Sequence, residues 1–263
     1  MRQAYDSDIS RAQFDLISRD LELVKKKTRP RVVDLYEIFC AVLYLIKNAC
    51  TWRNLPHDFP NWKLVNYYYG IWTKKDECGK SVLDYVLARL VEIERYEAGR
   101  NPLPSMLIVD SKSVQNADTA NEKGYDAGKK TSGIKIHIAV DILGLPYSIS
   151  VTTANVSDRG GAIEMFSQPD IQMPAELKKV LCDGGYTGES FAADIKTLTG
   201  AEVEIAKRSE LHKFVVMPKR WIVERTFGWL DKCRRLWKNC ERLIETTLSM
   251  VKLAFVSLLL KRY

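Results

Sequence analysis

Apolar residues recur every three or four positions through the first hundred residues, which predicts a series of helices. Four such runs begin near Ser7, Pro30, Asn61 and Val82. Proline suits the first turn of a helix and asparagine suits its N-cap, so Pro30 and Asn61 mark predicted helix starts. The prolines of the 51–60 loop stop helix propagation between the second and third runs. The four helices are predicted to end near Leu23, Asn48, Glu77 and Tyr96.

Beyond residue 104 the pattern changes to short apolar runs and strict alternation, which are typical of strands. Leu143–Gly144 is predicted as the turn of a hairpin between two alternating runs. The predicted strands are Met106–Asp110, Ile134–Asp141, Tyr147–Thr152, Leu177–Asp183 and Glu202–Ala206. Helices are predicted at Ala162–Phe166, Glu189–Leu198 and Pro218–Arg235, followed by an apolar helix to the end.

This order of strands and helices predicts an RNase H-like core, in which a mixed sheet has helices on both faces. The Gly- and Pro-containing segment 99–104 is the predicted boundary between an all-helical domain, residues 1–100, and an α/β domain, residues 101–263. The apolar runs 35–46 and 243–260 are short or broken by charge, so neither predicts a membrane span. The six cysteines form no C-x-x-C pair, which favours free thiols in a reducing cytoplasm.

Positive charge is concentrated in one stretch of the chain. The formal net charge is +7 and the pI is near 9.0, which favours an acidic partner such as nucleic acid. Residues 207–242 contain eleven Lys or Arg against four Asp or Glu, so this window accounts for the whole surplus. Glu224 lies inside it. A negative charge is unexpected in a segment whose cations would bind nucleic acid. The position of Glu224 is explained if its carboxylate holds a metal ion against the nucleic acid.

Three carboxylates are the candidate metal ligands. Asp110 and Asp183 each end a predicted strand, at the sheet edge where α/β proteins bind ligands, and the two carboxylates meet there if the first and fourth strands are neighbours. With Glu224 they form a hard oxygen donor set, which suits Mg²⁺ or Mn²⁺ better than zinc. Two such ions support phosphodiester cleavage. Taken alone, each acid has an ordinary alternative: a turn or helix cap for the aspartates, and an ion pair with Arg220 or Arg225 for Glu224.

The cations around these acids are candidate DNA contacts, since guanidinium groups bind phosphate in a bidentate manner. They are Arg220, Arg225, Arg234, Arg235 and Lys219 in the basic window, and Lys129, Lys130 and Lys135 in or beside the Gly- and Lys-rich loop. Tyr186 and Trp221 are candidates for stacking an unpaired end base. A single helix through the basic window would place Glu224, Gly228, Asp231 and Arg235 on one face.

Four motifs stand out in the second half of the chain: IVDSKSV (108–114), GYDAGKK (124–130), DGGY (183–186) and PKRWIVERTF (218–227). They resemble the motifs of bacterial insertion-sequence DDE transposases, of the insertion-sequence-five family within the insertion-sequence-four-like superfamily. The segment WRNLP (52–56) resembles that family's N-terminal region. The resemblance implies that Asp110, Asp183 and Glu224 are the DDE triad. The superfamily pattern Tyr-x₂-Arg-x₃-Glu-x₆-Lys is matched at Arg220 and Glu224. Met217 and Asp231 replace its Tyr and Lys, and Lys232 and Arg235 are the alternatives for the lysine's role.

The resemblance also implies an activity: a Mg²⁺-dependent transposase, with Mn²⁺ able to substitute, that binds terminal inverted repeats, cuts at the element ends and joins the 3′-OH ends to target DNA. Its implied partners are double-stranded DNA and a second copy of the chain in a paired-end complex, with the helical domain binding DNA. The expected location is the bacterial cytoplasm, on the nucleoid when DNA is bound. Two alternatives remain: an RNase H-fold nuclease without strand transfer, and a catalytically silent DNA-binding regulator.

Overall fold

The computed structural model describes residues 2–23, 33–206 and 219–263. The chain divides into two compact units. The first, the helical unit, comprises Met1–Leu90, Asp231–Trp237 and Ser249–Tyr263. The second, the sheet unit, comprises Val91–Leu230 and Lys238–Leu248. Among the described residues, no helix combines the length and the apolar character needed to cross a membrane.

The helical unit is built around one buried helix. Its helices are α1 (Arg11–Leu23), α2 (Leu35–Asn48), α3 (Trp62–Thr73), the first part of α4 (Val82–Glu97) and the second part of α8 (Ile244–Leu260). Helix α2 is apolar over most of its surface and contributes nine buried residues, and α1 and α3 pack against it. Lys252 of α8 forms a 2.5 Å ion pair with Asp84 of α4.

The predicted helix starts are partly confirmed. Asn61 caps α3, and its side chain accepts a hydrogen bond from the Lys63 amide. Asp34 caps α2 in the same way through the Tyr36 amide. Pro30, the predicted start of that helix, lies outside the described residues. Helix α3 ends at Thr73 and not near Glu77, because Lys74 adopts an extended conformation.

The described part of the sheet unit contains six strands: β1 (Met106–Gln115), β2 (Gly124–Asp126), β3 (Thr131–Val140), β4 (Pro146–Thr153), β5 (Lys179–Cys182) and β6 (Glu202–Ile205). Strands β3 and β4 form the predicted antiparallel hairpin. The main order is β4-β3-β1-β5-β6, with β1, β5 and β6 parallel and β3 antiparallel to β1. This mixed sheet, flanked by helices, is the RNase H-like fold that the sequence predicts.

Helices cover both faces of this sheet. On one face, α5 (Asp158–Phe166) and α6 (Glu189–Thr199) enclose an apolar core with β1 and β5. Helix α7 (Arg220–Leu230) packs against β1 and is tied to the β3–β4 turn, where the Thr226 hydroxyl donates to the Gly144 carbonyl at 3.0 Å. Gly144 has a φ of 81°, and a Cβ there would lie 2.7 Å from the Thr226 hydroxyl oxygen.

Three predictions about element boundaries are wrong. Strand β1 continues through Asp110 to Gln115, because β3 offers hydrogen-bonding partners along that whole length. The Gly- and Lys-rich loop contains a short strand, β2, which pairs with the start of β3. Helix α7 ends at Leu230, so Asp231 and Arg235 do not extend the helix face that carries Glu224.

Replacing Gly161 in α5 by alanine is expected to destabilise the protein by about 3 kcal/mol. A Cβ there would lie 2.0 Å from the ring of His137, which is fully buried. The matched control is Gly228→Ala in α7, where no described atom lies within 4 Å of the added Cβ. The control should gain up to about 1 kcal/mol from helix propensity. Urea denaturation of both variants measures the difference, and a Gly161→Ala protein as stable as the native one would contradict the packing described.

Candidate active site

The parallel pairing of β1 and β5 brings two of the three predicted acids together. Ile108 pairs with Leu181, and continuing this register by two residues places Asp110 beside Asp183. Side chains alternate along a strand, so Asp110 lies on the face opposite Leu107 and Val109, which belong to the apolar core of α5 and α6. Asp110 and Asp183 are therefore carried on the face against which α7 packs.

Asp110 is a constrained and partly shielded carboxyl group. Its Oδ1 accepts a hydrogen bond from the Ser111 amide at 2.7 Å. Burial raises its pKa to about 6, and the charge of Asp183 acts in the same direction. Arg220 and Lys129 act in the opposite direction through their positive charges. Both cations therefore lie close enough to influence this acid.

Asp183 immediately follows β5 and opens a short 3-10 helix, Gly184–Tyr186. Its Oδ1 accepts a 2.8 Å hydrogen bond from the Gly185 amide, which leaves Oδ2 directed to other partners. The next residue with a large side chain, Tyr186, enters the core against Phe191 and is 1% exposed. The prediction that Tyr186 stacks on an end base is therefore wrong, since its ring is buried.

Glu224 lies on α7 and is linked to Asp183 through an arginine. Arg220, four residues earlier on the same helix, places Nη2 at 3.1 Å from Asp183 Oδ2 and Nε at 3.4 Å from Glu224 Oε1. The Glu224 side chain is 58% exposed, whereas those of Arg220 and Asp183 are 23% and 24% exposed. The ion pair that the sequence offers as an alternative role for Glu224 is thus present.

The three carboxylates suit a hard divalent cation in their donor chemistry. Within the described residues, however, no group of three or more His, Cys, Asp or Glu side chains has the spacing of a metal site. Arg220 contacts two of the three acids instead.

Lys129 reaches the same region from the turn between β2 and β3. Its Nζ lies 3.2 Å from both the carbonyl and the hydroxyl oxygen of Ser111, the neighbour of Asp110. Asp126 orders the turn by accepting a hydrogen bond from the Lys129 amide at 3.0 Å and another from the Ser113 hydroxyl at 2.7 Å. The backbone of the turn therefore holds Lys129 beside the first acid.

Lys135 is not available for DNA, contrary to the prediction. Its side chain is 5% exposed and forms ion pairs with Asp126 at 3.1 Å and Asp158 at 2.8 Å. A third contact runs to the carbonyl of Val156 at 2.8 Å. A buried ammonium with three oxygen partners ties the β2–β3 turn to the start of α5, so Lys135 positions other residues.

The other predicted cations are dispersed. Lys130 and Lys219 are exposed in the sheet unit, both with positive φ. The Arg225 guanidinium lies 4.7 Å from each of the Trp221 and Trp229 ring centres and donates to the Leu143 carbonyl. Arg234 and Arg235 belong to the helical unit. Arg234 is exposed, but Arg235 is buried and donates to the Cys50 carbonyl at 2.8 Å, so it is not a surface contact for DNA.

Sequence reasoning missed Asp126 and Asp158, which organise the site without being triad members. Ser157 caps α5 through the Gly160 amide, and Asp158 follows in its first turn. Burial opposes ionisation of Asp158, but hydrogen bonds from Lys135 and Ser111 lower its pKa overall. In the sequence, Ser157-Asp158 indicates a helix cap and Asp126-Ala127-Gly128 indicates a turn. Neither pattern indicates that Asp126 and Asp158 share Lys135 as an ion-pair partner.

An RNase H-like sheet with acids on β1, after β5 and on α7 defines the class of protein. Comparison with known proteins agrees. A family model described as the transposase DDE domain matches residues 101–259, and a model for a proposed transposase of the IS4/5 family matches residues 9–80.

A Burkholderia cepacia protein, whose name proposes it as the transposase for insertion sequence element IS402, is 34% identical over 116 residues. That match covers 42% of this chain and 54% of the relative, so the chain spans about half of the relative's length. The chain belongs to the DDE transposase family, and the predicted resemblance is confirmed.

Replacing Lys135 by methionine is expected to reduce the free energy of unfolding at pH 7 by about 3–5 kcal/mol, because it leaves Asp126 and Asp158 buried without their shared cation. Burial opposes ionisation of Asp126, yet hydrogen bonds from Ser113, the Lys129 amide and Lys135 hold its pKa well below the ordinary value. A depressed pKa contributes stability above the unfolded value, about 4, and that stability is lost as pH falls through the folded value.

The difference between the native protein and Lys135→Met should therefore hold from pH 8 down to about 4 and shrink as pH falls further, toward the depressed folded pKa of Asp126. Urea denaturation from pH 8 to about pH 2.5 measures it. Lys179→Met is the control, because Lys179 forms an exposed pair with Glu204 and should change stability by less than about 1 kcal/mol. A pH-independent difference would contradict the proposed ion-pair cluster.

Proposed function

We propose that this chain is a divalent-metal-dependent DDE transposase that binds the terminal inverted repeats of an insertion sequence, cuts at its ends and joins the 3′-OH ends to target DNA. The observation that supports the proposal is the pairwise linkage of the three candidate acids, Asp110, Asp183 and Glu224, through β1, β5 and Arg220. The β1–β5 register sets the first two side by side, and Arg220 contacts the second and third. Family membership supports the same conclusion.

Asp110, Asp183 and Glu224 would hold Mg²⁺ or Mn²⁺ through carboxylate oxygens. Such ions, when bound, favour deprotonation of an attacking water or hydroxyl and stabilise the leaving oxygen in phosphodiester chemistry. The Ser111 amide donates a hydrogen bond to Asp110 Oδ1, and the Gly185 amide donates one to Asp183 Oδ1. Both carboxylates are therefore oriented before any substrate binds. Pre-ordered ligands reduce the reorganisation that substrate binding requires.

Two cations are placed to contact the DNA phosphate. Arg220 lies among the acids, and Lys129 lies against Ser111. The family's motif lysine is replaced by Asp231 in this chain, and we propose that Lys129 supplies the missing positive charge. The Lys129 side chain is 42% exposed, which supports a contact with a bound phosphate.

Trp221 is the remaining candidate for contact with an end base. Its indole is 47% exposed and has the Arg225 guanidinium over its ring. An exposed aromatic face of this kind can stack on an unpaired base. The helical unit is proposed to bind the terminal repeats, and two copies of the chain are proposed to act together on paired ends.

Asp183→Asn is expected to abolish Mg²⁺-dependent cleavage of a duplex that carries an element end, with a fall of at least about a thousandfold, because it removes a carboxylate between the other two acids. Affinity for the same duplex should stay within about threefold. Cleavage is measured on labelled end DNA and affinity by gel shift. The control is Asp194→Asn, which changes an exposed acid on α6.

Full cleavage by Asp183→Asn would overturn the assignment of the acids. Cleavage by the native protein without joined products, after a target duplex is added, would instead favour a nuclease without strand transfer.

Lys129→Gln is expected to lower the cleavage rate about a hundredfold while changing end-DNA affinity by less than about threefold, since its charge acts mainly on the phosphate at the acids. Single-turnover rates at saturating protein separate the two effects. Lys123→Gln, an exposed lysine near the start of β2, is the charge-matched control. A Lys129→Gln rate within twofold of the native rate would show that this lysine does not replace the motif lysine.

A further inference from the structure

Arg220 uses the same carboxylates that the proposed function assigns to a divalent cation. Its Nη2 is 3.1 Å from Asp183 Oδ2, and its Nε is 3.4 Å from Glu224 Oε1. Lys129, by comparison, contacts Ser111, and its Nζ lies 3.7 Å from Asp158. Of these two cations, Arg220 is the one that contacts two of the three acids.

The contact between Arg220 and Glu224 is weaker than the contact between Arg220 and Asp183. Arg220 Nε is buried, yet within the described residues it makes no hydrogen bond, so its 3.4 Å contact with Glu224 is ionic without good donor geometry. Glu224 is also more than half exposed, and ion pairs of that kind contribute little. The pair with Asp183 is shorter and less exposed, so it is the firmer of the two contacts.

The backbone position of Arg220 is unfavourable for a cation. Arg220 is the first residue of α7, where the positive end of the helix dipole disfavours a positive charge. Asp183 and Glu224 supply the compensation, so the arginine depends on the same acids that a metal would bind.

We infer that Arg220 is a displaceable internal counter-ion of the acidic site: it holds Asp183 and Glu224 until a divalent cation binds, and the cation then releases its guanidinium for the DNA phosphate. The inference rests on the proposed function. The two positive groups compete for the same oxygens, so the energy of the arginine contacts opposes cation binding. Once released, the guanidinium lies where a phosphate approaches the acids, and it suits bidentate phosphate binding.

This arrangement couples cation binding to DNA binding. By thermodynamic linkage, the factor by which Mn²⁺ raises affinity for DNA must equal the factor by which DNA raises affinity for Mn²⁺. Removing Arg220 should tighten Mn²⁺ binding to the protein alone and weaken this coupling. Arg220 is thus a positioning residue for the carboxylates in one state and a phosphate ligand in the other.

The test is Mn²⁺ binding to the full chain without DNA, measured from the electron paramagnetic resonance signal of free Mn²⁺. Arg220→Gln should bind Mn²⁺ about three- to tenfold more tightly than the native protein, because two partly exposed ion pairs no longer compete. Arg220→Lys should also bind more tightly, because a single ammonium does not span both acids as the guanidinium does. It also serves as the second variant should Arg220→Gln fail to fold. Lys179→Gln, which removes a charge from the exposed Glu204 pair, should leave Mn²⁺ affinity unchanged.

Native or weaker Mn²⁺ affinity in Arg220→Gln would overturn the inference. So would tighter binding in Arg220→Gln combined with native affinity in Arg220→Lys, since that result would reflect net charge and not the bridging contacts.

A second measurement uses a precleaved end duplex with and without Mn²⁺. In the native protein Mn²⁺ should raise DNA affinity at least about threefold, and in Arg220→Gln by less than half that factor. Equal factors in both proteins would overturn the coupling.

If the native protein cleaves ends but the Arg220 variants bind Mn²⁺ with the same affinity as the native protein, the inference fails and the proposed function stands. If the variants behave as expected but no end is cleaved, the proposed function fails and the counter-ion role stands. If the native protein binds no Mn²⁺ at millimolar concentration, both fail.

Discussion

Strand β1 is hydrogen-bonded on both sides, antiparallel to β3 along eight residue pairs and parallel to β5 along three. The rest of the sheet unit depends on this double pairing. The parallel side sets Asp110 beside Asp183, and the antiparallel side extends β1 far enough to place Ser111 and Ser113 against the β2–β3 turn. A shift of β5 by one residue would turn Asp183 toward the apolar core, so the apolar positions of both strands enforce the register.

The cations of the sheet unit fall into different roles according to their burial. Lys135 is buried between two aspartates and holds a turn to a helix, whereas Lys129, six residues earlier, keeps an accessible ammonium beside the first acid. Arg220 lies between these extremes, partly buried and paired with acids. A basic sequence window predicts the partner's charge, but burial decides which cations can meet that partner. To bind a phosphate, the Lys135 ammonium would have to break its contacts with Asp126, Asp158 and the Val156 carbonyl.

Much of the fold was predictable from local patterns. The hairpin, the Asn61 cap and the core helices follow from periodicity and cap chemistry. The sequence left open whether the strands that carry Asp110 and Asp183 are neighbours, and the parallel pairing of β1 with β5 decides it. The end of β1 and the end of α7 were not predictable in this way. Polar residues such as Ser111 and Ser113 carry no strand signal of their own, and they are extended because β3 lies beside them. Local propensity is overridden where a neighbouring strand supplies hydrogen bonds.

The sequence by itself determined the class of fold, the family resemblance and the identity of the three candidate acids, because strand alternation, turn residues and motif spacing are properties of short segments. The tertiary structure decided what each polar side chain touches. It buried Tyr186, enclosed Lys135, placed Arg235 in the helical unit and set Arg220 against Asp183. These outcomes depend on contacts between segments that lie far apart in the chain, 185 residues apart in the case of Arg235 and Cys50. Spacing along the sequence does not specify such contacts, because charge and burial are settled only when the elements pack.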